Sequence, residues 1–143
     1  MDMIVYTGGT FDMFHRGHVA FLKKCREVAG ISGLVVVSLN EDEFIEKFKN
    51  RKPVCSYDER YDVVAACRYV DRVIPNFGGA DSKPAILTIM PTIIAIGSDW
   101  APPRDYHSQM GFTPEWLTEH DIKLVFLDYT EGISTTEIRS RFE

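Results

Sequence analysis

Along this chain, short runs rich in Val, Ile and Leu alternate with longer stretches in which apolar residues return every three or four positions, a rhythm that separates buried strands from amphipathic helices. The short runs predict strands at Met3 to Tyr6, Leu34 to Leu39, Arg72 to Ile74, Thr92 to Ile96 and Lys123 to Leu127. The longer stretches predict helices at Gly17 to Ala29, Glu41 to Lys47, Tyr57 to Tyr69, Lys83 to Ile89, Pro114 to His120 and Thr135 to Phe142. In the first helix Val19, Leu22, Cys25 and Val28 share a face, with Lys23, Lys24 and Glu27 mainly elsewhere, as in a surface helix laid on a sheet. Two helix starts carry a chemical mark. S-Y-D-E at Ser56 to Glu59 and S-T-T-E at Ser134 to Glu137 fit the capping box, in which the first side chain and the last bond reciprocally to backbone amides.

Strands separated by helices require crossover connections, so the expected fold is α/β: a Rossmann-like, doubly wound, five-stranded parallel sheet with helices on both faces. Ligands of such sheets bind beyond the carboxyl ends of the strands, where the strand order reverses. Residues 1–143 read as a single domain, without repeat or linker. The irregular stretch from Trp100 to Phe112 reads as a functional loop.

Composition narrows the partners. A net charge of -5 over 143 residues gives no electrostatic footprint for nucleic acid or an anionic membrane. No segment approaches the roughly 20 apolar residues of a membrane span, and the first residues lack the features of a secretion signal, so a cytoplasmic location is expected. Cys25, Cys55 and Cys67 are odd in number and widely spaced, which argues against a disulfide framework or structural zinc.

The candidate chemistry begins where the first strand ends, in T-G-G-T-F-D-M-F-H-R-G-H, Thr7 to His18. Gly8 and Gly9 expose backbone amides, and Gly17 permits close approach at the start of the next helix. His15 and His18, three apart, can present imidazole N–H donors to one phosphate group without bringing a fixed charge into the site. Two other readings apply to the pair: caps of the loop and helix, or metal ligands. No third and fourth ligand stand at useful spacing for the second.

This stretch resembles the H-x-G-H signature of the nucleotidyltransferase superfamily. E-R-Y-D-V-V-A-A-C-R-Y-V-D-R-V at Glu59 to Val73, G-S-D-W at Gly97 to Trp100 and T-E-G-I-S-T-T at Thr130 to Thr136 are similar to further motifs of cytidylyltransferases, with the glycerol-3-phosphate cytidylyltransferase group the nearest. The resemblance implies a homodimeric enzyme that joins CTP to a small phosphorylated acceptor and releases pyrophosphate, with Mg2+ carried mainly by the nucleotide phosphates. It implies in-line attack by the acceptor phosphate, which is already a nucleophile, so the protein contributes positioning and charge neutralisation. His15, His18 and Lys49 would be catalytic, and Gly9, Thr10 and Phe11 would bind phosphate. Arg68, Asp99, Trp100, Thr130, Glu131, Gly132, Ile133, Ser134, Thr135 and Thr136 would complete the nucleotide site. Arg68 has a dimer contact as its other reading and an ion pair with Asp71 as its plainest. Arg51 and Arg60 are supporting phosphate candidates, and Lys83 is the acceptor candidate. No protein side chain is assigned to metal.

The chain departs from the family pattern at Tyr129, which stands where relatives carry an arginine before T-E-G-I-S-T. A tyrosine can donate a hydrogen bond but supplies no bidentate charge. Arg104, or else Arg16, is the expected replacement. The acceptor stays open among glycerol 3-phosphate, ribitol phosphate, phosphocholine and phosphoethanolamine. The rival readings are an adenylyltransferase using ATP, which would share H-x-G-H but generally lack E-G-I-S-T-T, and a nucleotide-binding module without turnover.

Overall fold

A computed structural model describes residues 3–98, 110–128, 130 and 132–142. Asp99, Trp100, Arg104, Tyr129 and Glu131 lie outside the described residues.

Five parallel strands form one sheet in the order β3-β2-β1-β4-β5. They are β1 (Ile4–Gly9), β2 (Leu34–Leu39), β3 (Arg72–Pro75), β4 (Ile93–Gly97) and β5 (Lys123–Leu127). The connecting helices are α1 (Arg16–Ala29), α2 (Asp42–Lys49), α3 (Tyr57–Ala65), α4 (Lys83–Ile89), α5 (Pro114–Glu119) and α6 (Thr135–Ser140). The period-2 pleat sorts the strand residues onto two cores. Val5, Val35, Ile93 and Ala95 pack on Cys25 and Ala29 of α1, continuing through Val37 and Leu39 to Leu22 and to Val64 of α3. On the opposite face Tyr6, Val36, Ile74, Ile94 and Ile96 meet Ala85 and Ile86 of α4 and Leu117 of α5. Helices therefore cover both faces, as expected, although Val19 of the predicted α1 stripe is exposed and Ala29 takes part in the core.

Two departures from the expected boundaries matter for the site. β1 runs on to Gly9 because β2 continues beside it, with Gly8 opposite Ser38 and Gly9 opposite Leu39. The glycine turn is thus held in the ladder until its last residue. The helix expected to reach Tyr69 ends at Ala65, where the chain tightens into turns (Cys67 N to Val64 O 3.0 Å, Val70 N to Cys67 O 3.1 Å). Asp71 anchors the exit: its amide bonds to Val35 O at 2.9 Å, and its carboxylate accepts from Val35 N at 2.7 Å and Arg26 Nη1 at 2.6 Å. Arg68 consequently does not share a helix with Arg60, and Asp71 has Arg26 rather than Arg68 as its ion-pair partner.

Candidate active site

A cavity of about 640 Å³ opens at the carboxyl edge of the sheet, across the ends of β1, β2, β3 and β4, beneath α2 and beside the start of α6. Gly9, Thr10, Phe11, His15, His18, Lys49, Arg51, Ser134, Thr135 and Thr136 line it together, although they come from three separate stretches of sequence.

The loop after β1 turns through two residues with left-handed backbone, Phe11 (φ 51) and Met13 (φ 49), a conformation that costs a side-chain-bearing residue roughly 1–2 kcal/mol. Burial of Phe11 against Leu22, Val37, Leu39 and Val64 offsets that strain. Asp12, between the two, holds the turn from the other side. Its buried carboxylate accepts from Val54 N (2.7 Å) and Cys55 N (2.8 Å) and lies 3.4 Å from Arg139 Nη2, while its carbonyl accepts from Thr135 Oγ1 at 2.9 Å. One residue thereby ties the loop, the segment after Lys49 and the start of α6 together. Gly9 is required beside it, since a Cβ there would stand 2.7 Å from the Phe11 ring.

The two histidines do cap α1, and the cap defines their chemistry. The Gly17 amide donates to His15 Nδ1 (3.1 Å) and the His15 amide donates to His18 Nδ1 (3.2 Å). A ring nitrogen that accepts carries no proton, so each neutral imidazole holds its hydrogen on Nε2, as a donor. The rings stack with centroids 3.7 Å apart, and His18 also packs on Phe11 and Phe14. Burial, with the neighbouring His15 acting in the same sense and Asp12 opposing, takes the His18 pKa down to about 3, and burial lowers that of His15. Capping and phosphate donation are therefore compatible uses of the two ring nitrogens. Gly17 makes the geometry possible: a Cβ on it would lie 2.9 Å from His15 Cε1 and 3.1 Å from Ile133 Cγ2.

Cations gather at the same end. Lys49 is exposed on the rim, where partial desolvation and then the charges of Arg51 and Arg139 lower its pKa while Asp12 raises it. A rim that disfavours its own charges gains most from an anion. Arg139 lines the cavity too, a cation that no motif had singled out. Its place becomes visible only when α6 is docked on Asp12.

Four expectations change. Arg60 is not a phosphate ligand: it is 2% exposed, and its guanidinium is spent on Thr10 O (2.9 Å), Asn40 O (2.8 Å), Cys55 O (3.1 Å) and Asp42 Oδ1 (2.6 Å). It braces the loop ends from behind. Arg68 is exposed over the Tyr69 ring and does not line the cavity, and neither does Arg16. Lys83 is held by Asp81 at 2.9 Å and by the Gly111 carbonyl, outside the cavity. The box at Ser134 is half formed: Ser134 Oγ accepts from Glu137 N at 3.0 Å, but the Glu137 carboxylate turns to Arg141. The Ser56 box is complete, by contrast, with both reciprocal bonds in place. Thr130, Gly132 and Ile133 do not line the cavity, and Gly132, at φ 79, makes the turn before Ser134.

Residues 6–141 match the family model described as cytidylyltransferase-like. The chain belongs to the cytidylyltransferase-like family. Within it, the chain is 30% identical to the glycerol-3-phosphate cytidylyltransferase of Staphylococcus aureus (strain NCTC 8325 / PS 47), covering 94% of this chain and 91% of that one. It is 32% identical to the protein of the same name from Bacillus subtilis (strain 168), covering 94% and 93%. A 37% match to an FAD synthase of Korarchaeum cryptofilum (strain OPF8) covers 71% of this chain and 68% of the relative. The fold is shared with a solved lipopolysaccharide core biosynthesis protein of Thermoplasma volcanium GSS1, at TM-score 0.71 and 20% identity over 92% of this chain and all of that one.

Proposed function

We propose that this protein transfers a cytidylyl group from CTP to a small phosphorylated acceptor and releases pyrophosphate. The observation that carries the reading is the histidine pair, whose Nδ1 atoms are fixed as acceptors so that two neutral Nε2–H donors serve a cavity rimmed by Lys49, Arg51 and Arg139. The acceptor phosphate attacks the α-phosphorus in line, the bond to the leaving pyrophosphate breaks, and no proton need be removed from the nucleophile. Charge accumulating on the phosphoryl oxygens is met by donors already in place, which is where preorganised hydrogen bonds contribute most. The Ser134 and Thr136 hydroxyls and the first amides of α6 offer further donors, the Thr135 hydroxyl being engaged on Asp12 O, and nearly full-length similarity to two glycerol-3-phosphate cytidylyltransferases supports cytidine as the base.

Magnesium enters this reading on the nucleotide. Among the described residues no group of three or more His, Cys, Asp or Glu side chains could hold a metal, and the Asp12 oxygens are already occupied, so the triphosphate would be the ion's main ligand. When bound it supplies neutralisation of phosphate charge. Arg139 takes the part foreseen for Arg104 or Arg16 in compensating for Tyr129. Arg139→Ala is expected to lower kcat/KM for CTP by about 10–100-fold, the worth of one charge-assisted phosphate contact. Unaltered CTP kinetics in that variant would return the role to another cation.

No helix among the described residues is long and apolar enough to cross a membrane, and we place the reaction in the cytoplasm, where CTP is made. We also read the protein as a homodimer joined through the exposed face around Arg68 and Tyr69, which light scattering of the purified chain tests. The similarity to an FAD synthase favours one second reading, transfer from ATP to a flavin phosphate. A pyrophosphate-release assay crossing the four nucleoside triphosphates with phosphorylated acceptors, FMN among them, separates the two. Release from CTP alone is expected; release from ATP with none from CTP would overturn the assignment, and silence throughout would leave a binding module.

A further inference from the structure

Along the cavity a chain of side-chain hydrogen bonds runs from the turn after β3 to the loop after β1, and every link in it has a fixed direction. Asn76 Nδ2 donates to Gly79 O at 3.1 Å and to Asn40 Oδ1 at 2.9 Å. Asn40 Nδ2 donates in turn to Thr10 Oγ1 at 3.1 Å. A backbone carbonyl only accepts, so Gly79 decides which end of the buried Asn76 amide faces it. Reversed, the Asn76 oxygen would press on the Gly79 carbonyl. With its NH2 group turned that way Asn76 presents a donor to Asn40, and Asn40 must answer with its oxygen. The NH2 group of Asn40 then faces Thr10. All four residues line the cavity.

The end of this chain settles the sign of the Thr10 hydroxyl. A threonine hydroxyl has one proton to give and two lone pairs to receive with. Because Asn40 donates to it, the proton is not spent on Asn40, and among the described residues no acceptor takes it. It is left for an occupant of the cavity. Were the Asn40 amide reversed, Thr10 would give its proton to the Asn40 oxygen and offer a phosphate only lone pairs, which repel it. The backbone on either side is pinned as well: Arg60 Nη1 donates to Thr10 O at 2.9 Å and to Asn40 O at 2.8 Å, and Asn40 N donates to Gly9 O at 2.9 Å. Hydroxyl and loop are thus set before any anion arrives.

We propose that Asn40 and Asn76 are positioning residues for nucleotidyl transfer, holding the Thr10 hydroxyl as a one-way donor to the phosphates of the nucleotide. The inference rests on the cytidylyl-transfer reading above and adds to it two residues that belong to none of the motifs. Thr10 touches the phosphate, and Asn40 and Asn76 act only through Thr10. A chain that merely braced the loops would serve equally in either direction; its polarity matters only to what meets Thr10. A neutral donor also brings no charge for Lys49, Arg51 and Arg139 to repel, and it contributes most as negative charge grows on the phosphoryl oxygens.

The test is a double-mutant cycle, read as pyrophosphate release from CTP and magnesium with the acceptor the wild type uses best. Thr10→Val, which keeps the shape and removes the proton, should lower kcat/KM for CTP about 10–100-fold, mostly through kcat. Thr10→Ser, which restores a hydroxyl, should recover most of that loss. Asn40→Ala should cost about tenfold in otherwise wild-type protein and less than about twofold when added to Thr10→Val, because the hydroxyl it directs is already gone. Asn76→Ala should follow the same rule, and it replaces Asn40→Ala in the cycle should that variant fail to fold. Equal costs of the asparagine variants in both backgrounds would show a brace of the loop and overturn the inference, leaving cytidylyl transfer standing, as would a Thr10→Val enzyme as active as wild type. A wild type that uses ATP and not CTP overturns the choice of base alone, and the same cycle run on ATP then decides this inference. Absence of release from every nucleotide overturns the reaction and this inference with it.

Discussion

His18→Ala is expected to lower kcat for CTP turnover by about 10²–10³-fold while the chain remains folded, because removing one preorganised donor to developing charge forfeits about 2.7–4 kcal/mol of barrier lowering. The fold loses less. His18 Nδ1 accepts a single backbone hydrogen bond at the start of α1, and such a cap is worth about 0.5–2 kcal/mol. The two roles sit on different nitrogens, so two conservative variants separate them. Asn places a polar atom near the position of Nδ1 and retains the cap, whereas Gln reaches toward Nε2 and retains the donor. His18→Asn should keep wild-type stability and lose turnover; His18→Gln should keep part of the turnover and melt earlier. Equal activity in the two variants would mean that the imidazole acts only as a cap.

The same residue gives the protein an acid-side stability slope. A free imidazole titrates near 6.5, and His18 in the fold titrates near 3, driven down mainly by burial. A second proton would have to enter Nδ1, which is already accepting the His15 amide. Between those pH values the unfolded chain binds the proton that the folded chain refuses, so this contribution to stability is complete above pH 6.5 and is lost as pH falls toward 3. His15, lowered by burial as well, adds in the same direction. Melting curves from pH 7.5 to pH 5 should show a steeper fall for wild type than for His18→Asn. Parallel slopes would place the titration elsewhere.

Most of the fold was legible because parallel strands buried on both faces read as unbroken apolar runs. β2, α4 and β5 fall where the apolar pattern puts them, and the complete box at Ser56 fixes the start of α3. What failed was whatever depends on contacts distant in sequence. Arg60 looks like one more cation near a phosphate site until Thr10, fifty positions away, is seen to use its guanidinium. Asp12 and Arg139, 127 positions apart, carry no local signal of their meeting. The capping role and the donor role of the two histidines seemed to be alternatives in the sequence because the spacing does not say which ring nitrogen faces which way.

Asp12→Asn tests whether the loop, the rim and α6 work as one unit, and it is expected to cost both stability and turnover. The substitution keeps the size of the side chain but replaces one acceptor with a donor. With Val54 N at 2.7 Å and Cys55 N at 2.8 Å from the two oxygens, one amide must then face an NH2 group. A buried donor left unsatisfied costs about 1–3 kcal/mol, and the weakened contact to Arg139 adds to it, so the melting temperature should fall by about 5–10 °C. Two effects on activity then compete. Removing a negative charge beside Lys49, Arg51 and Arg139 strengthens the field felt by CTP, whereas releasing the segment at Val54 and Cys55 unfastens the rim that carries those cations. Position should win, because the field of an exposed rim is screened over about 8–10 Å at ordinary ionic strength while in-line transfer depends on fractions of an ångström. Salt tells them apart. A loss of kcat in Asp12→Asn that persists from 50 to 500 mM salt is the signature of lost positioning, and a CTP KM that falls below wild type at low salt and converges at high salt would show the charge to be the main contribution. A variant that melts and turns over like wild type would remove Asp12 from its place as the fastening between β1, Lys49 and α6.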